Sequence, residues 1–205
     1  MKRKPGRPAR PIERGELLRL ARAIFAEHGY GAASLSQLAD RSGLRKASLY
    51  HHFPTKQSLY VEVLTEIVRD LSGLVAEAGL DAGDFVDRLD RLGGLVTGYL
   101  GHHPDAARLL LREMVSEGTF AAGEGAAAVQ ATLHAVAAFL DAGMQAGAFR
   151  RQDPKQLAMS IIGVHLVYFA AAAHVAPFVG GALDAPARIE ERRGAVLEQV
   201  RALCV

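Results

Sequence analysis

Apolar residues recur at three- and four-residue steps along most of this chain, and this spacing constrains the fold more than any other feature. The longest such run extends over 60–78, and a shorter one over 17–25 ends at Gly29. This is the period of an α-helix with one buried face, whereas the alternation typical of β-strands is nearly absent. Further helices are predicted over about 84–101, 104–117, 125–146, 154–176 and 186–203, with glycine or proline between them. The sequence therefore predicts an all-α fold of about nine helices.

The composition is that of a globular protein and excludes several other classes. Half of the 205 residues are apolar and 22% are charged, unlike a disordered or collagen-like chain. The single cysteine, Cys204, excludes an internal disulfide and a cysteine-based zinc site. The basic residues at the N-terminus are not followed by an apolar run, so no secretory signal is predicted. A reducing cytoplasm is the expected location.

Charge is distributed unevenly along the chain. Residues 1–56 carry 12 Lys and Arg against four Asp and Glu, whereas residues 57–205 carry 12 against 18. The formal net charge of +2 therefore hides a basic front and an acidic remainder. A basic terminal quarter favours contact with a polyanion such as nucleic acid.

Residues 34–53 have the pattern of a helix-turn-helix. Ser34 and Gln37 are spaced as a capping box at the start of one helix, and Gly43 can adopt the positive φ of a tight turn. Leu49 is predicted to anchor the second helix. The polar residues left on its outer side are Arg45, Lys46, Ser48, Tyr50 and His51. Because a polar helix of this kind fits the major groove, the pattern predicts double-stranded DNA as a partner.

The same stretch resembles the signature of TetR-family transcriptional regulators. The resemblance covers about 12–64 and rests on Gly29-Tyr30, Ser34-Leu35, Leu38-Ala39, Gly43-Leu44, Ser48-Leu49-Tyr50-His51-His52-Phe53-Pro54-Thr55-Lys56 and Leu59. It implies a DNA-binding domain over 12–55 and a larger helical domain for effector binding and dimerisation over 56–205. It also implies that the protein binds a palindromic operator as a homodimer. A repressor that a small molecule releases from this operator is the expected function.

Several residues match DNA-facing positions of that family. In the second helix these are Lys46, Ser48, Tyr50 and His51. Lys56 matches a phosphate-contacting lysine, and Thr55 can cap the helix that begins there, leaving free N–H groups for an anion. Ser34, at the start of the preceding helix, is predicted to join this surface. Arg45 stands where the family often has a small capping residue, which predicts a less well-capped helix and an additional cation.

Residues 1–11 are predicted to form a disordered basic arm, because they are rich in proline and charge. Their Gly6-Arg7-Pro8 core resembles an AT-hook, whose arginine enters the minor groove of A·T-rich DNA. Two interpretations remain open. Arg7 makes minor-groove contacts beside the operator, or the arm is a solvated tail that attracts DNA by charge alone.

The remaining chain shows no catalytic or metal-binding pattern, so we predict neither an enzyme nor a cofactor. The adjacent histidines at 51–52 and 102–103 point in different directions on a helix and make poor chelates. Polar and aromatic residues that interrupt the apolar helices instead favour a ligand cavity, although each could be an ordinary core residue. They are Tyr99, Met114, Phe120, His134, Met144, His165, Tyr168 and Phe169. Few acids or bases fall in these stripes, which predicts a mostly apolar effector.

The last two long helices match the positions where the TetR family builds its dimer. The predicted interface residues are Val164, Ala171, Ala172, Ile189, Val196 and Val200. Residues 157–183 contain no charge, and burial in a core or between subunits is favoured over a membrane span. A membrane-anchored regulator and an effector-independent DNA-organising protein are the alternatives.

Overall fold

The computed structural model describes residues 12–79, 83–115, 120 and 124–205. Every regular element in that part of the chain is an α-helix, which confirms the all-α prediction. The described part contains ten helices rather than about nine: α1 (Arg14–Ala32), α2 (Leu35–Ser42), α3 (Lys46–His52), α4 (Lys56–Glu77), α5 (Phe85–His102), α6 (Pro104–Val115), α7 (Glu124–Gln145), α8 (Pro154–Ala170), α9 (Ala172–Val179) and α10 (Pro186–Cys204). The predicted basic arm, with Arg7, lies outside the described residues.

The chain divides into two compact units between Leu64 and Thr65, inside α4. The boundary predicted from the sequence lies at the start of that helix. Within the first unit, the core combines residues from all four helices. The largest of its fully buried side chains are Leu17, Leu38, Leu49, Phe53, Val63 and Leu64.

The extra helix arises from a bend at Ala171, where the sequence predicted one helix over 154–176. α8 and α9 meet there at 82°, although neither glycine nor proline marks the position. The bend brings the side chains of Val175 and Val179 against buried residues of the second unit. Packing therefore interrupts a segment whose local sequence favours continuation. Pro177 lies inside α9.

The bend also bears on the membrane-span alternative. α8 and α9 are long and apolar enough to cross a membrane only if the bent pair is counted as one segment. Among the described residues, one unbroken helix, Gly125–Gln145, is also long and apolar enough. A straight span over 157–183, considered from the sequence, is not what the structure contains.

The interior of the second unit holds two apolar clusters. The Phe139 cluster consists of Leu89, Phe139, Leu140, Met144, Phe149, Leu157, Ala158, Val196, Val200 and Cys204. The Phe169 cluster consists of Leu100, Ala107, Leu166, Phe169, Ala170 and Leu183. α5 and α8 contribute to both, so these two helices connect the two parts of the core.

Close packing of α5 against α10 depends on glycine. The α5 face towards α10 carries Gly93, Gly94, Gly98 and Gly101. A Cβ at Gly101 would lie 2.7 Å from Cγ1 of Ile189, and one at Gly93 would lie 3.0 Å from Cδ2 of Leu197. The missing side chains thus allow the two helices to approach.

We expect Gly101→Ala to lower the free energy of unfolding by about 1 kcal/mol. Overpacking against Ile189 costs about 1–3 kcal/mol, whereas alanine gains about 1 kcal/mol over glycine in a helix. Gly73→Ala in α4 is the matched control, since its new Cβ would meet no described atom within 4 Å. Urea denaturation followed by circular dichroism measures both. Equal stabilisation of the two variants would contradict the packing described for α5 and α10.

Candidate nucleic-acid interface

The turn between α2 and α3 has the predicted geometry. The Ser34 Oγ accepts a hydrogen bond from the Gln37 backbone N–H at 3.3 Å, and the Gln37 side chain accepts one from the Ser34 N–H at 2.8 Å. Gly43 ends α2 with φ of +69°, a conformation that side chains other than glycine adopt rarely. The capping box and the glycine turn are therefore both confirmed.

The two faces of α3 differ sharply. Leu49, as the sequence predicted, is completely buried, and so is the following Phe53; both fix the helix in the first unit. Arg45, Lys46, Tyr50 and His51 are exposed and Ser48 is half-buried. The side chain of Arg45 makes no capping hydrogen bond to a described residue, which confirms the weak cap. An exposed polar face is thus held in place by a buried apolar one.

Arg14 anchors the end of α3, a role that the sequence analysis missed. Its Nε and Nη2 each donate a hydrogen bond of 2.6 Å to the Glu62 carboxylate. Its Nη1 donates to the carbonyl of His52 at 3.3 Å, and its guanidinium lies 4.8 Å from the centroid of the Phe53 ring. One side chain of α1 therefore contacts both α3 and α4. No short-range signal could reveal this, because 48 residues separate Arg14 from Glu62.

Lys56 has a second role besides the one predicted. Its Nζ donates hydrogen bonds to the carbonyls of Tyr30 at 2.8 Å and Gly31 at 3.0 Å, and lies 4.6 Å from the centroid of the Tyr30 ring. An ammonium group has three donors, so one remains for a phosphate. Lys56 thus attaches the start of α4 to the end of α1, and its phosphate contact stays a prediction.

An open cleft of about 400 Å³ joins the starts of two helices to α3. It is lined by Ala33, Ser34, Leu35, Ser36, Tyr50, Thr55 and Lys56. Thr55 caps α4, as predicted, because its Oγ1 accepts from the Ser58 N–H at 2.9 Å. Free N–H groups at both helix starts, the Tyr50 hydroxyl and the Lys56 ammonium all favour an anion here. Its chemistry fits a phosphate of a nucleic-acid backbone.

The eight predicted effector residues lie at different depths and in different clusters. Tyr99, Tyr168 and Phe169 belong to or pack against the Phe169 cluster, whereas Met144 belongs to the Phe139 cluster. Phe120 and His165 are buried. Met114 is 55% exposed, and His134 is exposed with its ring bonded to its own helix at Gln130. The helical periods identified interruptions of the stripes, but not the depth at which each one lies.

Half of the predicted dimer interface is wrong. Ile189, Val196 and Val200 are buried inside their own protomer, with at most 2% of each exposed. They cannot contact a second copy without opening the core. The physical reason is that α10 turns its apolar face towards the glycines of α5. Val164, Ala171 and Ala172 are half-buried.

The side chains of the second unit offer neither a reactive thiol nor a metal-binding cluster among the described residues. Cys204 is buried in the Phe139 cluster, and burial raises the pKa of its thiol to about 11. The thiol is therefore protonated at neutral pH. Within the described ranges, no group of three or more His, Cys, Asp or Glu side chains could hold a metal ion.

The first unit is thus a helix-turn-helix with an exposed polar second helix, and the second unit is larger and wholly helical where described. Together they define a two-unit protein of the helix-turn-helix class. A family model described as bacterial regulatory proteins, tetR family, matches residues 17–63. A second, described as tetracyclin repressor-like, C-terminal domain, matches residues 86–200, more than half of the chain. The chain belongs to the TetR family.

Individual relatives agree with this assignment. The transcriptional activator FasR of Mycolicibacterium smegmatis is 34% identical over 108 residues, which are 53% of this chain and 49% of FasR. The transcriptional repressor KstR2 of Rhodococcus jostii is 42% identical over 72 residues, which are 34% of this chain and 35% of KstR2. The chain thus spans a third to a half of the length of these relatives.

A solved structure extends the similarity over nearly the whole chain. The ketosteroid transcriptional regulator KstR2 of Mycobacterium tuberculosis superposes with a TM-score of 0.71 at 25% identity. The match covers 91% of this chain and 93% of that one. The two-unit helical fold is therefore shared beyond the helix-turn-helix.

We expect Ser34→Ala to destabilise the protein by about 1 kcal/mol, because it leaves a helix-start N–H without its cap. Ser36→Ala, two residues later in the same helix turn, is the matched control and should change stability by less than about 0.5 kcal/mol. Urea unfolding monitored by circular dichroism checks both. Equal effects would contradict a stabilising role for the capping box.

Proposed function

We propose that this protein is a cytoplasmic transcriptional regulator that binds a palindromic DNA operator as a homodimer. A small, mostly apolar ligand releases it, so that it acts as a repressor. The exposed polar face of α3 carries this proposal, because Arg45, Lys46, Tyr50 and His51 make no side-chain hydrogen bond or ion pair to a described residue. Donors left free on a short exposed helix suit the edges of bases in a major groove.

Phosphate contacts orient α3 in this proposal. The cleft between the starts of α2 and α4 receives one phosphate, with the Tyr50 hydroxyl and the third Lys56 donor beside it. Contacts of this kind set the register on DNA, while α3 distinguishes bases. Arg14 is a positioning residue, because it holds the end of α3 without facing the groove.

A dimer supplies the second copy of α3 that a palindrome requires. We place its interface on the outer side of α8, where Met159 is 45% and Val167 is 51% exposed. Gly163 lies one turn from each, and a Cβ there would meet no described atom within 4 Å. Phe178 of α9 is 90% exposed. Large apolar side chains left in water favour association.

Release follows from a difference in ligand affinity between two conformations of the dimer. The ligand prefers the conformation in which the two copies of α3 are wrongly spaced for the operator, and DNA prefers the other. α4 belongs to both units, so it is the element that transmits the change. KstR2, named as a repressor and a ketosteroid regulator, supports both the repressor and the apolar ligand.

Selection from a pool of random DNA duplexes should enrich a palindrome. On the selected duplex, Lys46→Ala and Tyr50→Ala should each weaken binding about tenfold or more, since such contacts contribute on the order of 1–3 kcal/mol. Fluorescence anisotropy measures the affinity, and the exposed Arg151→Ala of the second unit is the charge-matched control. Enrichment of no sequence would favour a DNA-organising protein, and unchanged binding by both variants would contradict the role of α3.

Met159→Glu should convert the dimer to a monomer, because it places a charge in the proposed interface. Met114→Glu is the matched control, since Met114 is 55% exposed and belongs to α6 rather than to the outer side of α8. Sedimentation velocity distinguishes the two states. Dimers of equal stability in both variants would exclude the outer side of α8 as the interface.

A further inference from the structure

Three polar side-chain atoms are buried without a hydrogen-bond partner among the described residues where α5, α8 and α10 meet. They are Oγ1 of Thr97, Nε of Arg192 and Nε of Arg193. The neighbouring His165 interacts with the backbone of Ile161 and of Gly93. Thr97 is completely buried and His165 is 5% exposed. Unpartnered buried polar groups are rare in native proteins, because each costs about 1–3 kcal/mol. Three such atoms from α5 and α10 at one junction indicate a missing partner.

The glycine face of α5 brings these groups together. A Cβ at Gly93 would lie 3.7 Å from Nε2 of His165, and one at Gly98 would lie 3.2 Å from Nη2 of Arg193. Thr97 precedes Gly98 on the same helix. From the other side, Arg192 donates a 2.5 Å hydrogen bond to the carbonyl of Val164, one residue before His165. The donors therefore share one level of the bundle.

The charge of this junction is only partly balanced, because Arg193 pairs with Glu190 at 3.4 Å but Arg192 pairs with no carboxylate among the described residues. No carboxylate of the described chain lies within 4 Å of Arg192, whose guanidinium lies over the Tyr168 ring at 4.4 Å. Burial lowers the pKa of Arg192 below its ordinary value. Burial also lowers the pKa of His165, whose Nδ1 donates to the carbonyl of Ile161 at 2.8 Å. A half-buried cation without a paired anion is unfavourable, and an anionic ligand would offset part of that cost.

The donor set specifies the kind of anion. The Thr97 hydroxyl and the two arginine Nε–H groups are donors, and a carboxylate accepts about four hydrogen bonds. The Phe139 and Phe169 clusters continue the junction on either side with apolar side chains. A carboxylate on an apolar body fits this arrangement of a few donors within a hydrophobic interior.

We propose that Thr97, Arg192 and Arg193 bind the carboxylate of an apolar acid, and that this acid is the effector. Only the claim that this acid is the effector rests on the proposed function. The sequence predicted a mostly apolar ligand, because few charged residues fall within the apolar stripes. The two arginines belong to α10 and lie outside those stripes, so the proposal adds one carboxylate to that apolar ligand.

Isothermal titration calorimetry with decanoate and 2-naphthoate tests the site, with decanol and 2-naphthol as uncharged controls. At least one acid should bind saturably and at least tenfold more tightly than its alcohol. Arg192→Met keeps the alkyl stem but removes the donors, and it should weaken the binding of that acid at least tenfold. Arg151→Met, on an exposed arginine, should leave it unchanged.

Thr97→Val separates binding from folding. It removes a hydroxyl that has no partner in the described chain, so the melting temperature without ligand should not fall, whereas acid binding should weaken severalfold. Saturable binding by neither acid would overturn the proposal. So would affinities that Arg192→Met and Thr97→Val leave at the wild-type value.

A DNA measurement distinguishes this inference from the proposed function. If the acid binds through Arg192 but does not release the selected duplex, the carboxylate site stands and its role as the effector site is overturned. If neither acid binds while the protein still selects a palindrome, the carboxylate site is overturned and DNA recognition stands.

Discussion

Complete burial of Leu49 and Phe53 is the interaction on which the DNA-facing surface depends. α3 has only seven residues, a weak N-cap at Arg45 and too few backbone hydrogen bonds to be stable alone. Its orientation therefore comes from side chains that enter the core of the first unit. Once that face is fixed, Lys46, Tyr50 and His51 necessarily point to solvent. The Arg14 contact with His52 and Glu62 adds to this anchor.

In the second unit, glycine rather than a large apolar side chain determines how the helices pack. Glycines on α5 let α10 approach until Ile189 and Val196 are buried, which forms the core and removes those side chains from any interface. The same close approach encloses Thr97 and Arg192 beside His165. One packing device thus accounts both for the stability of the unit and for its unbalanced polar junction. The outer side of α8, with Met159 and Val167, is left exposed.

Local signals in the sequence were sufficient for the helices and for the turn. The Ser34 capping box, the Gly43 turn and the cap at Thr55 each need only residues within three or four positions, and all three are confirmed. The bend at Ala171 was not predictable, because nothing local marks it and the packing of Val175 and Val179 decides it. For the same reason a single helix was predicted over 154–176.

Long-range contacts explain why parts of the candidate sites could not be predicted from the sequence. The anchoring by Arg14 and the use of Lys56 by the Tyr30 and Gly31 carbonyls join residues more than 20 positions apart, which no periodicity reveals. Burial of Ile189, Val196 and Val200 follows from which neighbour α10 meets, and a helical stripe does not specify its neighbour. The same limit spread the predicted effector residues over two clusters and left Met114 and His134 in solvent.

Insertion of α3 into the major groove, once per subunit of a dimer, is the central claim. Methylation protection of guanine N7 on a selected duplex tests it most directly, because that atom lies in the major groove. The account predicts two protected half-sites whose centres lie about one helical turn apart, or somewhat farther. Protection of a single segment, or protection confined to adenine N3 in the minor groove, would contradict it.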